Sequence, residues 1–225
     1  MFIGHWAPAL AAATLPRAPR LPVLVLAAQA VDWLFFALLP LGIERMRMTP
    51  GISAMNPMDL YHLPYTHSLL GCAVIGALFA LGYVMATGKR RGAAIAGLVV
   101  LSHWALDWLV HVPDLTMAGS PPKLGLGLWN HPAIAIPLEL GLTAAGLWIY
   151  GRALRPSPVR LAVFALVLFA FQMSNWFGPP PEAVTLSLSL TALAAFGMAT
   201  LLACLLDGSA ASSPRAGLAI GARRR

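Results

Sequence analysis

Charge is scarce in this sequence. Asp, Glu, Lys and Arg make up 10% of its 225 residues, where a soluble domain carries roughly 25%. That shortfall excludes an ordinary water-soluble fold. Cysteine is scarcer still. The chain's two cysteines, Cys72 and Cys204, fall inside apolar segments at different depths, so neither a disulfide between them nor a thiolate zinc cluster is expected. No basic region precedes the first apolar stretch, which argues against a cleaved signal peptide. No fixed-period repeat is present.

What fills the chain instead is apolar sequence: 59% hydrophobic residues and a mean hydropathy of +0.75. Runs long enough to cross about 30 Å of hydrocarbon recur along it. Seven apolar segments are expected, at 2–15, 21–43, 65–87, 92–111, 131–150, 158–177 and 183–206. They predict an all-α, polytopic membrane helix bundle over 1–206, followed by a basic, disordered tail at 207–225. The first segment is too short for a full crossing and is expected to be half-spanning or interfacial.

The net charge of +7 raises the question of nucleic acid, and the placement of the basic residues answers it. Twelve of the fifteen Lys and Arg residues lie in alternate connections and the tail. These are Arg17 and Arg20, then Lys89 to Arg91, then Arg152, Arg155 and Arg160, then Arg215 and Arg223 to Arg225. That is an orientation signal, with those loops cytoplasmic and those at 44–64, 112–130 and 178–182 on the other face. The expected partners are a lipid bilayer and a small or lipid-like substrate, with no nucleic acid. The seven Trp residues, Trp129 and Trp176 among them, suit an interfacial belt.

Ionisable residues inside the spans do not follow lipid logic. The fourth segment carries His103, Asp107 and His111 at steps of four, which places them on one helix face. Such groups are costly in a membrane and need a partner, a cavity or a metal. Asp32 and His103 each lie about 16 Å past the inner start of their segments. His67, His111 and His131 sit at outer ends. The ionisable residues thus sort into the outer half or midplane, which points to one polar site open to the extracytoplasmic side. His, Asp and Glu without cysteine suit a divalent ion held by imidazole and carboxylate, zinc or manganese first. The candidate ligands are His5, Asp32, His67, His103 and Asp107, with His62, His111 and Glu139 nearby. A metal there would lower the pKa of a bound water and equip the site for hydrolysis. Asp107, Glu139 or His62 would serve as general base or proton shuttle.

The short motifs around these residues resemble a known family. His62-Leu-Pro-Tyr-Thr66-His67-Ser68-Leu-Leu resembles the HRGxTHSLL motif of the bacterial inner-membrane metal-dependent hydrolases (YdjM-like). Ser102-His103-Trp-Ala-Leu-Asp107 resembles that family's SHxxxD, and Gly4-His5 its N-terminal GH. Asp32 falls where the family carries a PDxD signature. The resemblance covers about residues 1–111. It implies a membrane-embedded metal site with His5, Asp32, His67, His103 and Asp107 as ligands, in the bacterial inner membrane. Two departures weigh against phosphoester chemistry and a second metal: Leu63-Pro64 replaces the motif's Arg-Gly, and one acid of PDxD remains.

The expected activity is hydrolysis of a lipid-linked or amphiphilic ester from the outer side. The competing readings are a proton- or metal-ion-coupled transporter, a haem protein with His67 and His103 as axial ligands, and a structural lock of hydrogen-bonded helices.

Overall fold

The computed structural model describes residues 1–211. It is 65% helical, and five of its helices are long and apolar enough to cross a membrane. These are α4 (Leu69–Thr87), α5 (Arg90–Val110), α6 (Pro132–Leu154), α7 (Pro158–Phe177) and α8 (Leu186–Ala211). The chain is an all-α polytopic membrane bundle. Sheet is confined to two short antiparallel hairpins, β1 (Arg45–Met48) with β2 (Met58–His62), and β3 (Leu115–Thr116) with β4 (Lys123–Leu124). Both lie in the loops that the arginine pattern assigns to the outer face.

The second apolar segment is not one helix. It splits into α2 (Leu21–Ala28) and α3 (Ala30–Leu38), bent by 50° at Gln29. Asp32 therefore lies in the first turn of a new helix, not in the middle of a straight span. A helix end leaves carbonyls without intrahelical partners. Here the Ala28 carbonyl, last in α2, accepts a hydrogen bond from His103 Nδ1 at 2.9 Å.

The first segment is a 3-10 turn, Ile3–His5, running into α1 (Trp6–Ala12). It is half-spanning, as its length requires, but it is not interfacial. Trp6, Ala9 and Leu10 are fully buried, packed among α2, α5 and α6 as the centre of the main apolar core. Close approach makes this possible: a Cβ at Gly146 of α6 would lie 2.9 Å from Ala7 Cα. The same device joins α4 to α5, where a Cβ at Gly76 would lie 2.9 Å from the Gly97 carbonyl oxygen. Small residues let membrane helices touch backbone to backbone.

The third segment begins later than its hydropathy suggests. Residues 65–68 are not helical, and α4 starts at Leu69. Ser68, not Thr66, is the N-cap, its hydroxyl accepting from the Gly71 N–H at 2.9 Å. At the other end of the chain, α8 continues through Asp207 to Ala211, so helix extends past the expected start of the tail. The rest of the tail, 212–225, lies outside the described residues.

Candidate metal centre

Three connections converge at one end of the bundle. His67 sits in the extended stretch before α4, held by a bridge between Ser68 and Thr116 and by the Leu70 N–H donating to the Met117 carbonyl at 2.9 Å. His103 and Asp107 project from one face of α5, and His111 caps that helix. Asp32 comes from the start of α3 and His5 from the N-terminal turn. All of these except Asp32 are buried. The Asp32 side chain keeps 15% of its surface exposed, which makes it the mouth of the site.

The five predicted ligands meet. Asp32 Oδ1 lies 3.3 Å from His67 Nε2 and 3.5 Å from His103 Nε2. Asp107 Oδ2 lies 3.1 Å from His103 Nε2 and 3.8 Å from His67 Nε2. The second Asp107 oxygen, Oδ1, lies 3.0 Å from His5 Nε2 and 3.3 Å from His111 Nε2. It also accepts from the Met1 amino group at 2.7 Å. The His5 and His103 rings stack, with centroids 3.7 Å apart and planes 4° from parallel. Phe35 stands edge-on to His67 at 5.3 Å, and Trp129 covers His111 at 4.2 Å.

The outer hydrogen bonds fix where the ring protons are. A backbone carbonyl only accepts, so His103 Nδ1 must carry the hydrogen it gives to Ala28. Glu44 Oε2 accepts the Thr66 hydroxyl at 2.5 Å, which uses that hydroxyl's one hydrogen. The contact of 2.7 Å between Thr66 Oγ1 and His67 Nδ1 is then a bond donated by His67. His111 Nδ1 in turn donates to Asp114 Oδ1 at 2.9 Å. In the neutral ring the other nitrogen is a bare lone pair. Three imidazoles therefore aim Nε2 lone pairs at two carboxylates. Nε2 of His103 is buried and makes no hydrogen bond.

Lone pairs facing carboxylate oxygens repel unless a positive centre lies between them. Among the described residues no lysine or arginine pairs with Asp32 or Asp107; their ion-pair partners are histidines and, for Asp107, the Met1 amine. Putting protons on both His5 and His103 would stack two cations 3.7 Å apart, which burial makes costly. A divalent cation meets the need at once. Zinc bound to nitrogen and oxygen at about 2.0–2.2 Å in a tetrahedron sets its ligand atoms about 3.3–3.6 Å apart. The four distances among Asp32, Asp107 Oδ2, His67 and His103 run from 3.1 to 3.8 Å. The donors also have the outer partners that orient metal-binding imidazoles. The residues fit the ion.

Haem does not fit the same place. The His67 and His103 rings are 5.7 Å apart at 75°, and a macrocycle between them would occupy the space of the Asp32 and Asp107 carboxylates.

Three predicted residues stand apart from the centre. His62 is exposed on β2, opposite Arg45, because strand alternation turns it outward while Leu60 and Leu63 go in. It is no proton shuttle for the buried cluster. Glu139 is buried but committed: its Oε1 accepts from the N–H groups of Phe2, at 2.5 Å, and Gly4, at 3.2 Å, and its Oε2 from Gln172 at 3.3 Å. It anchors the turn that presents His5. His131 only caps α6. Asp107, ringed by nitrogens on both oxygens, is placed as a ligand and has no oxygen to spare as a base.

Sequence reasoning passed over Glu44 and Asp114, the acids behind His67 and His111. Asp114 had a signal in the His111-x-x-Asp114 spacing. Glu44 had none, because 22 residues separate it from Thr66.

Fold and site together define a multi-pass helical membrane protein with a buried His–Asp nest at one end. No family model, curated protein or solved structure matches the chain.

Proposed function

We propose that this chain is a metal-dependent hydrolase of the bacterial inner membrane, acting from the extracytoplasmic side on a lipid-linked or amphiphilic ester. The observation that carries the reading is the orientation of His67, His103 and His111, each tethered at Nδ1 and open at Nε2 toward Asp32 and Asp107. His67, His103, Asp32 and Asp107 would hold the ion, which would supply Lewis acidity and an acidified water. Asp32 is the one partly exposed member and accepts the proton that water gives up. Phe35 and Trp129 wall the nest with aromatic rings, a lining suited to the acyl part of an amphiphile. The resemblance of the THS and SHxxxD motifs to the YdjM-like hydrolases supports the same reading.

Transport is the second reading, favoured by one observation. The break at Gln29 makes α2–α3 a discontinuous helix at the depth of the polar site, as in many carriers. Against it, the core beyond the site is closed by Leu10, Leu21, Leu24 and Val100, all fully buried, and no polar route crosses it.

The test is elemental analysis of detergent-purified protein beside a His103→Ala, Asp107→Ala double variant. The hydrolase reading requires bound transition metal in the wild type and its loss in the variant, followed by cleavage of chromogenic amphiphilic esters by the loaded protein alone. Absence of metal in both, after addition of Zn²⁺ or Mn²⁺, removes it. Metal with substrate-independent ion flux in proteoliposomes selects the carrier. The side is checked separately: an alkaline phosphatase fusion after Lys123 is expected to be active and one after Arg155 inactive.

A further inference from the structure

We propose that the Asp107 carboxylate bridges two divalent cations, the second held on Oδ1 by His5 and His111. This rests on the metal-centre reading above and extends it. The two oxygens of Asp107 face different donors. Oδ2 faces His103 and His67, and Oδ1 faces His5 and His111. Two groupings have metal-like spacing, His5–His103–Asp107 and Asp32–His67–His103, and they share His103. One imidazole offers one Nε2, and the Nδ1 of His103 is already given to Ala28. A tetrahedral ion that takes Asp32, His67, His103 and Oδ2 is complete. His5, His111 and Oδ1 are then a surplus donor set beside it.

His111 shows the features of a ligand independently of the first ion. It is buried, at 3% exposure. Its Nδ1–H is fixed by the Asp114 carboxylate, the outer arrangement found behind zinc-bound imidazoles. Its Nε2 lone pair points at a carboxylate oxygen 3.3 Å away. Across that oxygen, His5 has a buried Nδ1 without a partner, and its Nε2 lies 3.0 Å from Oδ1. Imidazole-rich donors with one shared carboxylate select zinc or manganese over magnesium or calcium.

The experiment counts metal per chain on the full-length protein in detergent, stripped with chelator, reloaded with Zn²⁺ and passed through gel filtration. The expected values are two equivalents in the wild type, one in His111→Ala, one in Asp32→Asn and none in Asp107→Ala. His111→Gln, with helicity and elution volume unchanged, replaces His111→Ala if that variant aggregates. Co²⁺ loading gives a second readout: spin coupling between two ions across the carboxylate, present in the wild type and lost in the His111 variant. One equivalent in the wild type, unchanged in the His111 variant, overturns the second cation and leaves the first centre standing. Two equivalents retained in the His111 variant also overturn it, since the second ion is then held elsewhere. No metal in any form overturns both readings.

Discussion

The bundle carries acids at both of its ends and satisfies them differently. At the arginine-rich end, Asp207 of α8 accepts from Arg20 Nε at 2.6 Å, and the Arg20 side chain is 64% exposed. Asp207 raises the Arg20 guanidinium above its ordinary value by hydrogen bond and charge. At the other end, Asp107 is buried to 1% and is met by four histidines. A protein that only has to neutralise an acid and tie two helices together does it with one cation at the water's edge. The histidine solution is worse for that purpose. It brings buried rings whose open nitrogens create a new electrostatic demand, and stability alone gives no reason to keep it. The contrast assigns the two ends to different tasks, fastening at one and ion binding at the other.

Replacing Asp107 is the strongest attempt to break that contrast. Asp107→Ala removes the one carboxylate that faces all four histidines, and the expected result is complete loss of bound metal. A protein that keeps its metal after this change would end the distinction between the two poles. Loss of the ion also removes the stabilisation that binding gives the folded state. The melting temperature of the variant is therefore expected not to respond to added Zn²⁺, while that of the wild type rises with it.

Glu44→Gln sharpens the comparison without touching a ligand. The carboxylate takes three hydrogen bonds, from Tyr65 N–H at 3.0 Å, Thr66 N–H at 2.8 Å and the Thr66 hydroxyl. A carboxamide has only one accepting oxygen, so the Thr66 hydroxyl loses its acceptor. Its hydrogen then turns to His67 Nδ1 and moves the ring proton to Nε2, inside the nest. Outer-shell changes of this kind cost about 10–100-fold in metal affinity. Competition with a chelator of known affinity measures it. Unchanged affinity would show that the Thr66–Glu44 relay does not set the His67 tautomer.

Much of this centre is legible in the sequence, and the reasons differ by residue. His103, Asp107 and His111 announce themselves because helical period and membrane cost act on consecutive turns of one segment. His67 and Asp32 are visible as ionisable groups in apolar surroundings. The break at Gln29 is not visible. The segment from Leu21 to Ile43 has no internal proline or glycine before Pro40, and hydropathy does not register a bend whose stabilising partners, His103 and Phe2, are distant in sequence. The start of α4 is misread for a similar reason. Thr66 and Ser68 are both good N-cap residues, and Glu44 decides between them by claiming Thr66. His62 misleads because its motif position suggests a site, whereas β-pairing turns it to solvent.

Gly76→Val tests whether the ion-binding pole depends on how α4 and α5 are packed. The new Cβ would meet the Gly97 carbonyl oxygen at 2.9 Å, and backbone gives way poorly. Overpacking of this sort costs about 1–3 kcal/mol. His103 and Asp107 ride on α5, and His67 leads into α4, so separation of the helices also loosens the nest. The expected outcome is a lower melting temperature in detergent together with weaker metal binding. Lower stability with full affinity would show that the ligand loops, not the helix crossing, hold the centre.

Arg20→Ala addresses the fastening pole and has the smallest expected effect. The guanidinium is mostly exposed, and exposed pairs contribute about 0–1 kcal/mol, less as salt rises. Asp207 keeps a second partner, the Leu21 N–H at 3.5 Å, so the acid is not left alone. The variant is expected to melt slightly earlier than the wild type at low salt, to match it at high salt, and to bind the same amount of metal with the same affinity. The last point carries the weight. Arg20 sits at the start of α2, and the other end of that helix supplies the Ala28 carbonyl that orients His103. If loosening the fastening end altered metal affinity, α2 would be transmitting strain along its length, and the two poles would be one coupled device. Equal affinity in both proteins, measured by the same chelator competition used for Glu44, keeps them separate: the bend at Gln29 then isolates the centre from whatever happens at the arginine end.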